Sequence, residues 1–101
     1  MGEERFEKEM KLMEDLLTDI YKETGKAVYG IKEVEMAAEA FAIDKLLVLD
    51  EYLRTDKEAE RIVDLADKNK AEIVIFSSEG DAGQKLKGFG KIAATLKFKI
   101  N

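Results

Sequence analysis

Apolar residues recur near the start of the chain at alternating steps of four and three, at Phe6, Met10, Met13, Leu17 and Ile20. That spacing puts them on one stripe of a helix, so an amphipathic leading helix is predicted over residues 2–24, with Gly25 as its natural stop. Ala27, Val28 and Tyr29 then predict a brief strand. After Gly30, helical spacing returns at Val34, Ala37, Ala38 and Phe41, while Lys32, Glu33, Glu35 and Glu39 take the opposite face.

Two continuous apolar runs break this rhythm, one over residues 46–49 in the segment 45–49 and one over 73–76. Each predicts a strand buried on both faces, the first closed by Asp50. Between them, residues 56–70 predict a helix with Ala59, Ile62, Val63 and Ala66 inward and Lys57, Glu60, Arg61, Asp64 and Lys68 outward. A loop over 77–83 leads to a short helix that contributes Leu86 and Phe89 to the core. The last segment alternates: Ile92, Ala94, Leu96, Phe98 and Ile100 share one face, and Ala93, Thr95, Lys97 and Lys99 a wet one.

Alternating helices and strands predict an α/β fold, a three-layer α/β/α sandwich on a mixed sheet of three or four strands. The sheet is expected to be parallel at its centre and antiparallel at an edge. A chain of 101 residues fits one domain over 1–101, with enough volume for a real core.

Composition narrows the chemistry. The sequence contains no cysteine and no histidine. Thiolate nucleophiles, disulfides, imidazole metal sites and histidine general bases are therefore excluded. No apolar run, residues 46–49 included, exceeds four residues, far below the roughly 20 that cross a bilayer, and the acidic amino terminus lacks a signal-peptide layout. No membrane partner and a cytoplasmic location are expected. The formal charge is −5, unevenly spread. Up to residue 83, 22 acids face 12 bases (−10), whereas Lys85, Lys87, Lys91, Lys97 and Lys99 follow with no acid (+5).

Asp50 and Glu51 sit just past the carboxyl end of a strand, where α/β proteins place ligand-binding groups. With Glu79 and Asp81 after the next strand, four carboxylates could converge on an oxygen-ligated metal; the plainer reading is acids favouring a helix amino end. The turn at Gly80, Asp81, Ala82 and Gly83 could offer amides to a phosphate, but it matches no phosphate-loop pattern and its acids would repel the ligand. It reads as a turn whose glycines serve left-handed backbone. Ser77 and Ser78 lack any base to activate them and read as capping hydroxyls. The lysine strip from Lys85 to Lys99 fits either a nucleic-acid backbone or acidic protein surface, or the solvated face of an edge strand.

An ordered set of short motifs spans about three-quarters of the chain. It comprises Ala27-Val28-Tyr29-Gly30, Glu33-Val34, Ala42-Ile43-Asp44-Lys45-Leu46-Leu47-Val48, Asp50-Glu51, Leu53-Arg54, Ile75-Phe76-Ser77-Ser78, Ala82-Gly83 and Gly90-Lys91-Ile92-Ala93-Ala94-Thr95-Leu96. This set, best matched over 26–100, resembles the carboxy-terminal domain of the pelota family, messenger-RNA surveillance and ribosome-rescue factors related to class-I peptide release factors. Phe41 departs from a place usually small, Lys91 from a glycine, Thr95 from an aliphatic and Lys97 from a common arginine.

The resemblance implies a fold like that of the kink-turn-binding ribosomal proteins, used here to dock proteins. The implied partners are a translational GTPase of the elongation-factor class, the ATP-binding-cassette ribosome-recycling ATPase and the ribosome. No cofactor, small-molecule substrate or catalysis is implied. Contacts are expected at Asp50, Glu51 and Arg54 and at the loop from Glu79 through Gly80 and Asp81 to Gly83, then at Lys85, Lys87 and Lys91. The alternatives are a kink-turn-type RNA-binding protein of this fold and a receiver-like domain with Asp50 as phosphoacceptor.

Overall fold

The leading helix buries a row of side chains at steps of three and four, Glu9, Leu12, Met13 and Leu16. A computed structural model describes residues 2–22 and 25–98, with side chains from residue 7 onward. In it α1 (Gly2–Tyr21) is centred one residue away from the expected stripe: Met13 is fully buried, but Met10, Leu17 and Ile20 only border the core. The charge of Glu9 hid the true row. The side chain of Phe6, the expected helix end at 24, and Lys99 and Ile100 lie outside the described residues.

Nine elements follow one another: α1, β1 (Ala27–Tyr29), α2 (Ile31–Glu39), β2 (Ile43–Leu49), α3 (Asp50–Thr55), α4 (Lys57–Lys68), β3 (Glu72–Phe76), α5 (Asp81–Gly88) and β4 (Ile92–Leu96). The sheet has four strands in the order β1-β4-β2-β3. β2 and β3 are parallel, while β4 runs antiparallel to both β2 and β1. The antiparallel strand therefore lies inside the sheet, contrary to the expectation of a parallel centre.

Register explains why the central strand carries small residues. Val28, Ala94, Leu46 and Ile73 stand across one face, and Tyr29, Ala93, Leu47 and Val74 across the other. Helices α1 and α5 form one covering layer and α2 with α4 the second, giving the α/β/α sandwich. Ala93 and Ala94 are wholly buried, so β4 has no wet face of the kind its alternation predicts. Conversely β3, expected to be buried, is an edge strand, and Ile75 keeps 45% of its surface exposed. A continuous apolar run does not tell a strand how many neighbours it will have.

Helix ends account for two further differences. Asp56 caps α4 by accepting the Glu58 N–H at 2.9 Å. At the other end Lys70 is left-handed (φ 62°), with Ala71 N–H donating to the Ala66 carbonyl at 3.0 Å. Phe41 does the same after α2, at φ 54°, with Ala42 N–H reaching the Ala37 carbonyl at 3.0 Å. Phe41 is thereby turned out of the helix face assigned to it and stands 58% exposed. Asn69 ties the two ends together, its side-chain amide donating to the carbonyls of Ala38 and Leu65 at 3.1 and 2.6 Å.

Lys91 is left-handed as well, at φ 71°, directly after Gly90 at φ 93°. Its backbone is engaged on both sides, N–H to the Leu86 carbonyl and carbonyl from the Leu49 N–H, each at 3.0 Å. The chain cannot relax there without breaking those bonds, so the Cβ carries the cost. Lys91→Gly is expected to raise unfolding stability by about 0.5–1 kcal/mol, the left-handed strain less the extra unfolded-state entropy of glycine, as read by urea denaturation.

Candidate docking edge

Because β2 and β3 are parallel, their carboxyl ends leave the sheet side by side, which brings Asp50 next to Ser77 and Ser78. Antiparallel β4 begins at the same edge where β1 ends: Gly30 N–H donates to the Ile92 carbonyl and Leu49 N–H to the Lys91 carbonyl, both at 3.0 Å. One edge of the sheet thus gathers four turns of the chain.

The turn after β3 is held at each of four successive amides. Ser77 N–H donates to the Glu9 carboxylate at 3.1 Å, and Ser78 N–H to Asp50 Oδ1 at 3.2 Å. Glu79 N–H donates to Ser77 Oγ at 3.2 Å, and Gly80 N–H to the Ser77 carbonyl at 3.1 Å. Gln84 closes the turn by donating from its side-chain amide to the Ser78 carbonyl at 2.6 Å. Asp50 Oδ1 also accepts the Glu51 N–H at 2.7 Å. These amides are engaged within the protein and are not presented to an anion.

Gly83 explains how α5 comes so close. A Cβ there would lie 1.9 Å from the Ser77 carbonyl oxygen and 3.3 Å from Leu49 Cδ1. The glycine serves close approach, not left-handed backbone as expected, and Gly80 has an ordinary φ of −88° as the residue before α5. Ser77 does act as a capping hydroxyl.

Asp50, Glu51 and Arg54 belong to α3, a helix that the sequence pattern does not predict, with the two acids in its first turn. Glu51 is half-buried, Arg54 is exposed, and Tyr52 between them is buried. Burial raises the Tyr52 phenol above its ordinary value of 10.0, reinforced by Asp56 and Glu58. Glu79 and Asp81 are exposed and, with Met10, Gly80 and Ala82, line a cleft of about 260 Å³ between α1 and the turn. The four acids share the edge, but among the described residues no group of three or more Asp, Glu, His or Cys could hold a metal ion.

The basic residues divide. Lys85 and Lys87 are exposed on the last turn of α5, and Lys91 lies at the start of β4. Lys97 is at the opposite end, where its ammonium donates to the Asn69 carbonyl at 2.9 Å. Strand geometry separates Lys91 from Lys97 by about 20 Å, so the expected lysine strip is not one surface. Sequence reasoning also missed an aromatic pair at the basic end of the edge. Tyr29 and Phe89 meet edge to face with ring centroids 5.1 Å apart, and Phe89 is only half-buried.

A parallel pair completed by an inserted antiparallel strand, with helices on both faces, makes this an α/β/α domain on a mixed sheet. The chain belongs to the eRF1 domain 3 family, whose model matches residues 6–100. Its relatives there are pelota proteins. The pelota homolog of Methanocaldococcus jannaschii is 49% identical over 99 residues, covering 98% of this chain and 28% of its own length. Among solved structures, archaeal Pelota bound to the ribosome with ABCE1 superposes at a TM-score of 0.89 and 34% identity, over 98% of this chain and 28% of that one. Saccharomyces cerevisiae Dom34, a termination-like factor of RNA quality control that interacts with Hbs1, gives 0.87 and 32%, over 94% and 28%. The chain thus spans little more than a quarter of these relatives. Among the described residues no helix is long and apolar enough to cross a membrane.

Gly83→Ala is expected to destabilise the domain by about 2 kcal/mol or more, because the methyl group must displace the Ser77 carbonyl or the helix; thermal and urea unfolding measure it. Tyr52 gives a pH signature. Below 10.0 both folded and unfolded phenols are protonated and its contribution is complete; above it the unfolded chain ionises first, so stability falls as pH rises. Tyr52→Phe is expected to flatten the stability curve on the alkaline side and nowhere else.

Proposed function

We propose that residues 1–101 form the protein-docking domain of a pelota-like factor that rescues and recycles stalled ribosomes in messenger-RNA surveillance. The domain binds a translational GTPase and the ribosome-splitting ATPase in the cytoplasm and catalyses nothing itself. One observation carries this reading: the chain matches, over 94–98% of its length, a part of pelota-type proteins, one of them bound to the ribosome with ABCE1 and another that interacts with Hbs1. The chemistry agrees with it. A sequence without histidine or cysteine lacks the imidazole and thiolate groups most used for proton transfer and nucleophilic attack, and Asp50 Oδ1 is engaged by backbone amides.

The docking surface is the sheet edge, with Glu51, Arg54, Glu79 and Asp81 as an acidic half and Lys85, Lys87 and Lys91 as a basic one. Gly80 and Gly83 shape the turn between them. Separate charged halves suit electrostatic steering of protein partners. For the kink-turn reading, Lys97 stands apart and leaves only Lys85, Lys87 and Lys91 as a basic patch on this edge.

Charge reversal tests the assignment on side chains that hold no backbone. Glu79→Lys and Lys87→Glu are expected to weaken binding of a purified elongation-factor-class GTPase or of the ATP-binding-cassette ATPase by about tenfold each, equivalent to about 1.4 kcal/mol, with unchanged melting. Unaltered affinity for both partners in both variants overturns the assignment.

A further inference from the structure

We propose that Glu9 is a positioning residue for the docking edge: from α1 it sets the conformation of the 77–80 turn and with it the cleft that presents Glu79 and Asp81. The partner-binding consequence rests on the docking reading above; the structural claim does not.

The argument begins with a carboxylate where none is expected. Glu9 is 2% exposed and falls in the same buried row as Leu12, Met13 and Leu16, a place where an aliphatic side chain would complete the helix face. Removing a carboxylate from water costs several kcal/mol unless hydrogen bonds compensate, and well-packed apolar replacements of buried charges are often neutral or stabilising. What a carboxylate supplies that leucine cannot is a directional acceptor. Here it receives the N–H of Ser77, itself buried and 68 residues away in sequence.

That amide is the first of the four in the turn. Asp50 fixes the second from β2's end, and the remaining two are satisfied within the turn. Without Glu9 the turn keeps Asp50 but loses its link to α1. The cleft beside it has Met10, the next residue along α1, on one wall, and Glu79, Gly80, Asp81 and Ala82 on the other. Glu9 therefore ties α1, which carries one wall, to the turn that forms the other. The two exposed acids of the acidic half lie on the wall that it holds.

The test uses the whole chain with three variants, each followed by amide hydrogen exchange, melting and affinity for a purified elongation-factor-class GTPase. Glu9→Leu is expected to speed exchange at Ser77 and Ser78 by about tenfold or more relative to the β2 amides, and to weaken binding by about tenfold, without an equivalent loss of melting temperature. Glu9→Gln keeps an oxygen at the same reach and is expected to restore turn protection and affinity. Glu9→Asp keeps the charge but withdraws it by one methylene, and is expected to behave like Glu9→Leu, which preserves the test should the leucine variant not fold. Ser77 exchange that stays level with β2 in the leucine or aspartate variant overturns the proposal, as does a freed turn with parental affinity. A parent chain that binds no GTPase refutes the docking reading instead, and the exchange comparison still decides the role of Glu9.

Discussion

The passage of α5 across the end of β3 is the constraint on which this edge of the sheet depends. With no Cβ on Gly83, the helix lies against the Ser77 carbonyl, and residues 77–80 are compressed into a turn whose amides all find acceptors. Once the helix is set at that distance, Leu86 reaches the core while Lys85 and Lys87 stay outside.

Carboxylates on this domain divide into two kinds according to what they face. Glu9 and Asp50 are turned to backbone N–H groups and act as internal braces. Glu79 and Asp81, a few residues away, face solvent and set the local field. Residue type alone does not separate the two groups. The distinction arises only when parallel pairing sets the ends of β2 and β3 together and α1 lies over them.

Much of the fold is legible from spacing. α2, α4, β1 and β2 follow directly from apolar periodicity, and the motif set from Tyr29-Gly30 to Ile92-Ala93-Ala94 carries the family. Misreadings concentrate where neighbours, not local pattern, decide. β3 has as continuous an apolar run as β2 but lies at the sheet's edge, whereas alternating β4 lies inside it. Alanines at 93 and 94 look polar-compatible in sequence, yet they are the small residues that let helices pack on both faces of a central strand. Glu9 and α3 were illegible for a related reason: a single charge masks a buried position, and six residues are too few to show a helical period. The residues expected to make contacts lie along one edge of the sheet, whereas Lys97 of the expected lysine strip lies at the opposite end.

Strand order also sets a condition on how the molecule is made. β4, the last described strand, lies between β1 and β2 and bonds to both, so β1 has no strand partner until β4 is in place, while β2 and β3 can already pair. A nascent chain still lacking that segment has β1 with no partner and an open flank on β2, both bordered by apolar surface. Completion of the four-stranded sheet therefore depends on the segment that comes last among its strands, a long-range pairing of the kind that slows folding.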